Sequence, residues 1–311
     1  CMRILVVRFS AIGDCVMTAW AVTGIREALP HAEIVWAVQG TCRPVLDEER
    51  LVTSVVEIPR KRWKAGRWRP EVWHEQLRLY LGIRKDRFDV GFDFQGHSKT
   101  SLMLRLARCG SRKSAYAKDA AARLLVPPTA CRYEHIVEVS HHLVNQWTPT
   151  TLPRLPLMPR VSAPNGIRDP CVTLLTGASD PTRRYPATHW QFVAHNLVSQ
   201  GCQVVALGGP EDPRIDAPEV VDLVGKLSLR ESMAWIAHSQ LHLAADTGSG
   251  HIAAAYGVPV VSLFSNKSPA RSRPWGNRVT VLHNGPDASR INPEEVVRAA
   301  EAWLQDYAVP R

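Results

Sequence analysis

A glycine-containing segment late in the chain combines the residue types that bind a phosphate. This segment, Asp246–His251 (DTGSGH), follows the apolar run Leu241–Ala245 and opens a helical stretch that continues through Ala253–Tyr256. Glycines allow close approach of a ligand, and the first N–H groups of a helix, together with the Thr247 hydroxyl, suit a phosphate. The segment could instead be an ordinary turn in which Asp246 caps the helix. We predict a phosphate site, with the simple turn as the alternative.

A carboxylate occupies the matching place near the start of the chain. Asp14 follows the apolar run Ile4–Val7 and the small-residue turn Ser10–Gly13. Here a carboxylate could act as a general base on a hydroxyl group, or it could only complement the dipole of the following helix. The turn lacks the GxGxxG fingerprint, which argues against a dinucleotide oxidoreductase.

Three further polar segments follow predicted strands. Arg183 and Arg184 come after the run Cys171–Leu175, where a guanidinium could hold a phosphate by two hydrogen bonds or simply lie in solvent. Glu211 could accept hydrogen bonds from the two hydroxyls of a ribose, or it could be a loop acid. The segment Asp93–Lys99 (DFQGHSK) offers polar groups to a hydroxyl-rich ligand.

The net charge of +9 is concentrated in the first half of the chain. Residues 1–150 hold 23 Lys and Arg against 15 Asp and Glu, whereas residues 151–311 hold 15 against 14. Residues 60–69 (RKRWKAGRWR) interleave six cations with two tryptophans. This pattern suits phosphates beside sugars, a membrane interface or nucleic acid, and a solvated loop whose tryptophans pack locally is the plain alternative. Charge alone does not choose among these partners, but no recognised nucleic-acid module is present.

The composition predicts a folded protein of two domains. A chain of 311 residues with 45% hydrophobic residues is too long for one compact core. No run approaches the roughly 20 apolar residues of a membrane span, and we expect no signal peptide. The seven cysteines are scattered, and Cys1 is given no role. With no CxxC and no HExxH, we expect neither a disulfide framework nor a metal site, and a reducing cytoplasm.

Strands alternating with helices position these segments. In the first half, strands are predicted at Ile4–Val7, Glu33–Val38, Val55–Ile58 and Phe88–Asp93, with helices at Cys15–Leu29 and from Lys99. In the second half, strands are predicted at Cys171–Leu175, Gln203–Leu207, Leu241–Ala245 and Val258–Phe264, with helices at His189–Ser199, Leu229–His238 and Pro293–Tyr307. The alternation predicts α/β architecture with doubly wound parallel sheets, which bind ligands at the carboxyl ends of their strands.

Six prolines between residues 149 and 170 predict the linker between the domains, because proline is excluded from helix interiors and central strands. We place the N-terminal domain at residues 1–160 and the C-terminal domain at residues 161–311. The last helix, capped by Asn292 and with Pro293 in its first turn, is expected to be amphipathic and to pack back on the first domain.

Taken together, these segments resemble the ADP-heptose:lipopolysaccharide heptosyltransferases, glycosyltransferase family 9. The likeness lies in residues 2–14 (MRILVVR…GD), residues 93–99 (DFQG…K) and residues 246–251 (DTG…H). That family is inverting and has the GT-B fold, two Rossmann-like domains facing across a cleft. The basic-aromatic run is most similar to heptosyltransferase I, which adds the first heptose to Kdo. The resemblance implies transfer of heptose from ADP-L-glycero-D-manno-heptose to the Kdo/heptose inner core of lipopolysaccharide.

The resemblance also implies roles for matching residues. Asp14 would be the general base, and Arg183 stands where the family commonly has a phosphate-binding lysine, with Arg184 in reserve. The C-terminal domain would bind the donor through Ser179, Arg183, Arg184, Glu211 at the ribose, Leu227 near adenine, Asp246 at the sugar, Thr247, Gly248 and His251. The N-terminal domain would bind the acceptor through Ser10, Lys64, Gln95, Lys99, Arg112 and Lys113. No cofactor and no metal are expected.

The implied partners are a nucleotide-sugar donor and an anionic acceptor of the lipid A–Kdo type. We expect a monomeric cytoplasmic protein with peripheral contact to the inner membrane and no nucleic-acid partner. Two alternatives stay open: another GT-B nucleotide-sugar enzyme with a different donor or acceptor, and a non-catalytic nucleotide or nucleic-acid binding protein.

Overall fold

The computed structural model describes residues 2–66 and 68–305. Cys1, Arg67 of the basic-aromatic run and the predicted helix end at Tyr307 lie outside the described residues. The chain divides into two compact units, Cys1–Pro159 and Arg160–Arg311. This division lies one residue before the boundary expected from the prolines.

The first unit contains a parallel sheet in which the order of successive strands reverses at the central strand. Its described strands are β1 (Arg3–Val7), β2 (Glu33–Gln39), β3 (Ser54–Ile58), β4 (Arg87–Asp93) and β5 (Arg108–Ser114), in the order β3-β2-β1-β4-β5. All neighbouring strands are parallel, and Val7 lies beside both Ala37 and Asp93. The point at which the order reverses, at the carboxyl ends of β1 and β4, is where open α/β sheets bind ligands.

The helices of the first unit cover this sheet. They are α1 (Ile12–Ala28), α2 (Arg60–Ala65), α3 (Pro70–Gly82), α4 (Ser98–Leu106), α5 (Ala120–Leu125) and α6 (Ile136–Asn145). The turn between β4 and α4 depends on Gly96, whose φ is +70°, because a Cβ there would lie 2.3 Å from the Tyr116 carbonyl oxygen.

The second unit repeats the architecture with another parallel sheet. Its described strands are β6 (Cys171–Leu175), β7 (Gln203–Leu207), β8 (Val221–Asp222), β9 (Leu241–Ala245), β10 (Val260–Phe264) and β11 (Val279–His283), in the order β11-β10-β9-β6-β7-β8. Its helices are α7 (Ala187–Ser199), α8 (Leu229–Ala237), α9 (Gly248–Ala255), α10 (Pro269–Ser272) and α11 (Pro293–Leu304). Here the reversal point lies between β6 and β9.

The last helix contributes to the core of the second unit. Asn292 caps α11 as predicted, its side chain accepting from the Glu294 N–H at 3.0 Å. The apolar face of the helix is buried in that core through Val296, Val297, Ala300 and Leu304. Packing of this helix back on the first domain stays a prediction.

The basic-aromatic run differs in part from its plain alternative. Arg60–Ala65 form helix α2 and not a loop, whereas Trp63 is buried in the core of its own unit, as the local packing in that alternative expects. Within the described residues, no helix has the length and apolar composition needed to cross a bilayer.

Candidate active site

Asp14 lies in the first turn of α1, where a buried arginine holds its carboxylate. Arg8 is 2% exposed; its Nη2 pairs with Asp14 Oδ2, and its Nη1 donates to the Phe94 carbonyl oxygen. The Ala11 N–H donates to the same Asp14 oxygen at 3.4 Å. The Asp14 side chain still keeps 32% of its surface exposed. A carboxylate that is both fixed and reachable from solvent meets the geometric requirement for a general base.

Arg8 was not predicted as a site residue from the sequence. The feature that could have identified it is its position as a cation inside the apolar run Ile4–Phe9, because a buried charge requires a partner. The structure shows that Arg8 pairs with the Asp14 carboxylate and donates to the Phe94 carbonyl oxygen in the β4–α4 loop.

Ser10 and Gln95 lie in the same loop cluster as Asp14. Gln95 is 7% exposed, and its Oε1 accepts from the N–H groups of Phe9 at 2.8 Å and Ser10 at 3.3 Å. Arg60 Nη1 donates to the Ser10 hydroxyl at 2.8 Å, which ties the start of α2 to this loop. The Gln95 side-chain oxygen therefore braces the loop after β1, and contacts of Ser10 and Gln95 with the acceptor stay predictions.

Asp93 organises the neighbouring turn. Its Oδ1 accepts from the Gln95 and Gly96 N–H groups, and its Oδ2 from the Thr100 and Ser101 hydroxyls, each at 2.9 Å. Burial raises the pKa of the Asp93 carboxyl, while these hydrogen bonds act in the opposite direction. This carboxyl builds the loop that holds Gln95.

The predicted acceptor cations divide by position. Lys99 is exposed in the first turn of α4, and Lys113 is half-buried at the carboxyl end of β5, beside Phe92 of β4. Lys64 is exposed on α2. All three remain candidates for an anionic acceptor.

Arg112 has partners within its own unit. Its Nε donates to the Leu104 carbonyl oxygen at 3.1 Å and its Nη2 to that of Ala107 at 2.7 Å. These are carbonyls that the end of α4 leaves without helical partners, so the guanidinium caps that helix. Its role in binding the acceptor stays a prediction.

In the second unit, the N-terminus of helix α9 lies at the carboxyl end of β9 and has no capping bond from its N-cap side chain. Thr247 is the N-cap residue, with extended backbone, and its side chain makes no capping bond to the helix. The first turn contains no acidic residue, so its N–H groups are available to an anion. The alternative in which Asp246 caps the helix is wrong.

Asp246 lies between two cations. Arg183 Nη1 donates to the Asp246 carbonyl oxygen at 2.9 Å and is 3.7 Å from its Oδ2, and Lys267 Nζ is 3.9 Å from that same oxygen. The Arg183 side chain is 17% exposed and also lies 3.7 Å from Asp180 Oδ2. Lys267, which follows β10 outside any recognised motif, is a residue that sequence reasoning missed.

The side chains of Arg183 and Arg184 contact different groups. Arg184 is exposed, and its Nε donates to the Ala178 carbonyl oxygen at 3.0 Å. Arg183 thus lies beside Asp246, the residue before the N-cap of α9, whereas Arg184 is held against its own loop.

The remaining donor candidates are spread along the same edge. Ser179 and Glu211 are exposed, Leu227 is half-buried just before α8, and His251 is buried in α9. Sequence reasoning overlooked Asp212, whose Oδ2 accepts from the Gly209 N–H at 2.7 Å.

Asp212 lies directly over Gly177, in the loop after β6. A Cβ at Gly177 would come within 1.9 Å of the Asp212 carboxyl carbon, so only glycine allows this approach. The carboxylate therefore joins the loops that follow β6 and β7, beside the predicted ribose-binding Glu211.

Beneath the start of α9 lies a fully buried histidine on β9. His242 Nδ1 is 2.9 Å from Thr173 Oγ1, and its Nε2 is 2.9 Å from Ser249 Oγ. Burial lowers the pKa of His242 to about 3, although a hydrogen bond to the Thr173 backbone acts against this. The ring is therefore neutral at physiological pH.

Burial of the His242 ring predicts that the folded protein loses stability in acid. Below the unfolded-state pKa near 6.5, the unfolded chain binds a proton that the folded chain does not, until the pH approaches 3. We expect His242 to make unfolding easier by about 2 kcal/mol at pH 5 relative to pH 8. Urea unfolding of wild type and His242→Gln at both pH values measures this, and an equal pH dependence in the two proteins would contradict it.

Across the described ranges, 2–66 and 68–305, no group of three or more His, Cys, Asp or Glu side chains is arranged to hold a metal ion. The described cysteines form no disulfide.

Comparisons with known proteins show the family to which the chain belongs. Residues 76–297 match the model of glycosyltransferase family 9 (heptosyltransferase). Lipopolysaccharide heptosyltransferase 1 of Pseudomonas aeruginosa is 26% identical, over 92% of this chain and 84% of that protein. Lipopolysaccharide heptosyltransferase 2 of Salmonella typhimurium is 24% identical, over 90% of this chain and 88% of that protein.

Solved structures show the same fold. The E. coli heptosyltransferase WaaC with ADP superposes with a TM-score of 0.83 at 20% identity, covering 97% of this chain and all of that one. The E. coli ADP-heptose lipopolysaccharide heptosyltransferase II gives 0.78 at 21% identity, covering 98% and 99%. The predicted GT-B fold is confirmed, and the chain belongs to glycosyltransferase family 9, the heptosyltransferases.

Proposed function

We propose that this chain transfers heptose from ADP-L-glycero-D-manno-heptose to the Kdo/heptose inner core of lipopolysaccharide, with inversion at the anomeric carbon and without a metal. The observation that carries the proposal is the bare N-terminus of α9 with Arg183 beside it, in a chain of the heptosyltransferase family. A related enzyme, the E. coli heptosyltransferase WaaC, has been solved with ADP and with ADP-2-deoxy-2-fluoro heptose.

On the donor side, the second unit offers groups suited to each part of the nucleotide sugar. The N–H groups of Gly248 and Ser249 and the guanidinium of Arg183 would hold the diphosphate. Asp246, oriented by Arg183 and Lys267, would accept from sugar hydroxyls. Glu211 would bind the ribose and Leu227 would contact adenine.

On the acceptor side, Asp14 would take the proton of the attacking hydroxyl. That oxygen attacks the anomeric carbon, the bond from this carbon to the diphosphate oxygen breaks, and ADP leaves. Arg8 keeps the Asp14 carboxylate in position. The developing charge on the diphosphate would be stabilised by Arg183 and the α9 N–H groups, which are fixed before the reaction starts.

A panel of nucleotide sugars tests the donor assignment. Calorimetric titration with ADP-heptose, ADP-glucose, UDP-glucose and GDP-mannose should show tightest binding of ADP-heptose, unchanged by EDTA. Tightest binding of a UDP- or GDP-sugar would instead support another GT-B enzyme, and loss of binding in EDTA would contradict a metal-independent donor site.

We also propose that the first unit contacts an anionic membrane surface through α3. Along this helix Trp73, Leu77 and Leu81 are spaced four residues apart and are 64%, 53% and 43% exposed. They therefore form one exposed apolar stripe. Residues 60–87 hold ten Lys and Arg against three Asp and Glu, which is +7 of the chain's +9. An apolar stripe amid cations is typical of helices that lie at a lipid interface.

Vesicle binding tests this surface. Replacing Trp73, Leu77 and Leu81 together with serine should weaken partitioning onto phosphatidylglycerol vesicles by about tenfold or more, because the buried apolar area is lost. The control, Leu124→Ser with Leu155→Ser, removes exposed leucines elsewhere in the unit and should bind like wild type. Equal loss in both variants, or wild-type binding that does not fall with salt, would contradict the proposal.

A further inference from the structure

We infer that His242 is a positioning residue, which orients the Thr247 hydroxyl toward the donor diphosphate through Ser249. The inference rests on the proposed function, because that function places the diphosphate at the start of α9. It concerns a strand residue that would not touch the substrate itself.

A continuous chain of hydrogen bonds runs from the core of the second unit to this helix end. Thr173 Oγ1 lies 2.9 Å from His242 Nδ1, His242 Nε2 lies 2.9 Å from Ser249 Oγ, and Ser249 Oγ lies 3.1 Å from Thr247 Oγ1. Thr173 and His242 have no exposed surface, and Ser249 has 7%. The chain thus crosses from β6 through β9 to the first turn of α9.

The buried position of the His242 ring indicates a role beyond packing. His242 lies on β9 with no exposed surface. Burying an imidazole is costly unless both ring nitrogens are hydrogen-bonded, and an apolar residue would fill the space at lower cost. Both nitrogens are bonded here, and the bonded path leads to the hydroxyl of the helix N-cap.

A bound anion determines which group donates and which accepts at each step of this chain of hydrogen bonds. A phosphate only accepts, so the Thr247 hydroxyl must donate its single hydrogen to it. The Thr247 oxygen then accepts from Ser249, whose oxygen accepts from His242 Nε2–H. His242 Nδ1 is then left as the acceptor for the Thr173 hydroxyl, which also lies 3.2 Å from Ser239 Oγ and 3.5 Å from the Leu241 carbonyl oxygen.

This direction requires a neutral ring protonated on Nε2. A doubly protonated ring could not accept from Thr173, and the opposite neutral tautomer would turn the Ser249 hydrogen toward His242. The Thr247 hydrogen could then turn toward Ser249, leaving its lone pairs facing the anion. Burial, which lowers the pKa of His242 to about 3, keeps the ring neutral over the working pH range.

Two substitutions of similar size separate positioning from packing. Gln at position 242 can place an amide N–H near the location of Nε2 and can still donate to Ser249, whereas Asn reaches only the location of Nδ1. We expect His242→Asn to raise the Kd for ADP and the KM for the donor about tenfold, with kcat changed less. His242→Gln should restore most of that affinity.

A double-mutant cycle supplies the second readout. Ser249→Ala should weaken ADP binding as much as His242→Asn does, and the double variant should be no weaker than Ser249→Ala alone, because both act through one path. Additive losses, or equal ADP affinity for His242→Asn and His242→Gln, would overturn the inference. If the position 242 variants do not fold, Thr173→Val with Ser249→Ala gives the same cycle.

Wild-type titration separates this inference from the function on which it rests. Wild type that fails to bind ADP would contradict the donor site itself. Wild type that binds ADP, together with His242→Asn that binds equally well, would contradict only the positioning role. Thermal unfolding of each variant at pH 8 shows whether a loss of affinity reflects a loss of folded protein.

Discussion

Replacing Asp14 with asparagine is expected to lower kcat by about 10²–10⁴-fold, the usual contribution of a positioned base. Asparagine keeps the shape of the side chain and can still accept from the Ala11 N–H, but it cannot take a proton from the acceptor hydroxyl. The Kd for ADP should remain that of wild type, because no donor-binding group changes. Steady-state kinetics with calorimetry of ADP binding measure both quantities.

A matched control distinguishes loss of the base from loss of an ion pair. Asp47, in the same unit, is 4% exposed and pairs with Arg50 Nε at 2.6 Å. Asp47→Asn should therefore lower the free energy of unfolding while leaving kcat within about twofold of wild type. If Asp14→Asn turned over as fast as Asp47→Asn, Asp14 would not be the base.

Replacing Arg183 with alanine is the second large effect that we expect. The guanidinium lies beside Asp246 and the start of α9, where the charge of the leaving diphosphate would grow. Its removal should lower kcat/KM by about 10²–10³-fold, as for the loss of one preorganised donor to a developing anion. Arg183→Lys should recover part of this loss, because a lysine keeps the charge but not the two-pronged geometry.

Arg184→Ala is the comparison that assigns the role between the two arginines. Arg184 is exposed and bonded to its own loop, so its loss should cost about tenfold or less in kcat/KM. A larger effect at Arg184 than at Arg183 would move the diphosphate to the other side chain and contradict the proposed donor site.

The sequence predicted those strands that are apolar runs ending in small or polar residues. Cys171–Leu175, Gln203–Leu207 and Leu241–Ala245 have the predicted bounds, because continuous apolar runs between turns are typical of buried parallel strands. Strand β5 (RCGSRKS) was missed because it lies at the edge of its sheet and is built largely from polar and basic residues. Its pairing with β4 is visible only in three dimensions.

The candidate site was predicted where a motif follows a strand, and missed where a role depends on a distant partner. Asp14 and Thr247 belong to turns and helix starts that follow strands, and they were singled out in this way. Arg8 directly follows β1 and His242 lies inside β9, and their roles depend on partners that the fold brings to them. The bonds of Arg112 were not visible in the sequence for the same reason, because the carbonyls that it caps belong to another element.

The most direct test of the proposed reaction is analysis of its product. Purified protein, ADP-heptose and a Kdo-bearing lipid A acceptor should yield ADP and an acceptor heavier by one heptose residue. NMR of that product should show the heptose linked with the anomeric configuration opposite to that in the donor. ADP release with no sugar on the acceptor, or a linkage that retains the donor's configuration, would contradict heptose transfer by direct displacement with Asp14 as the base.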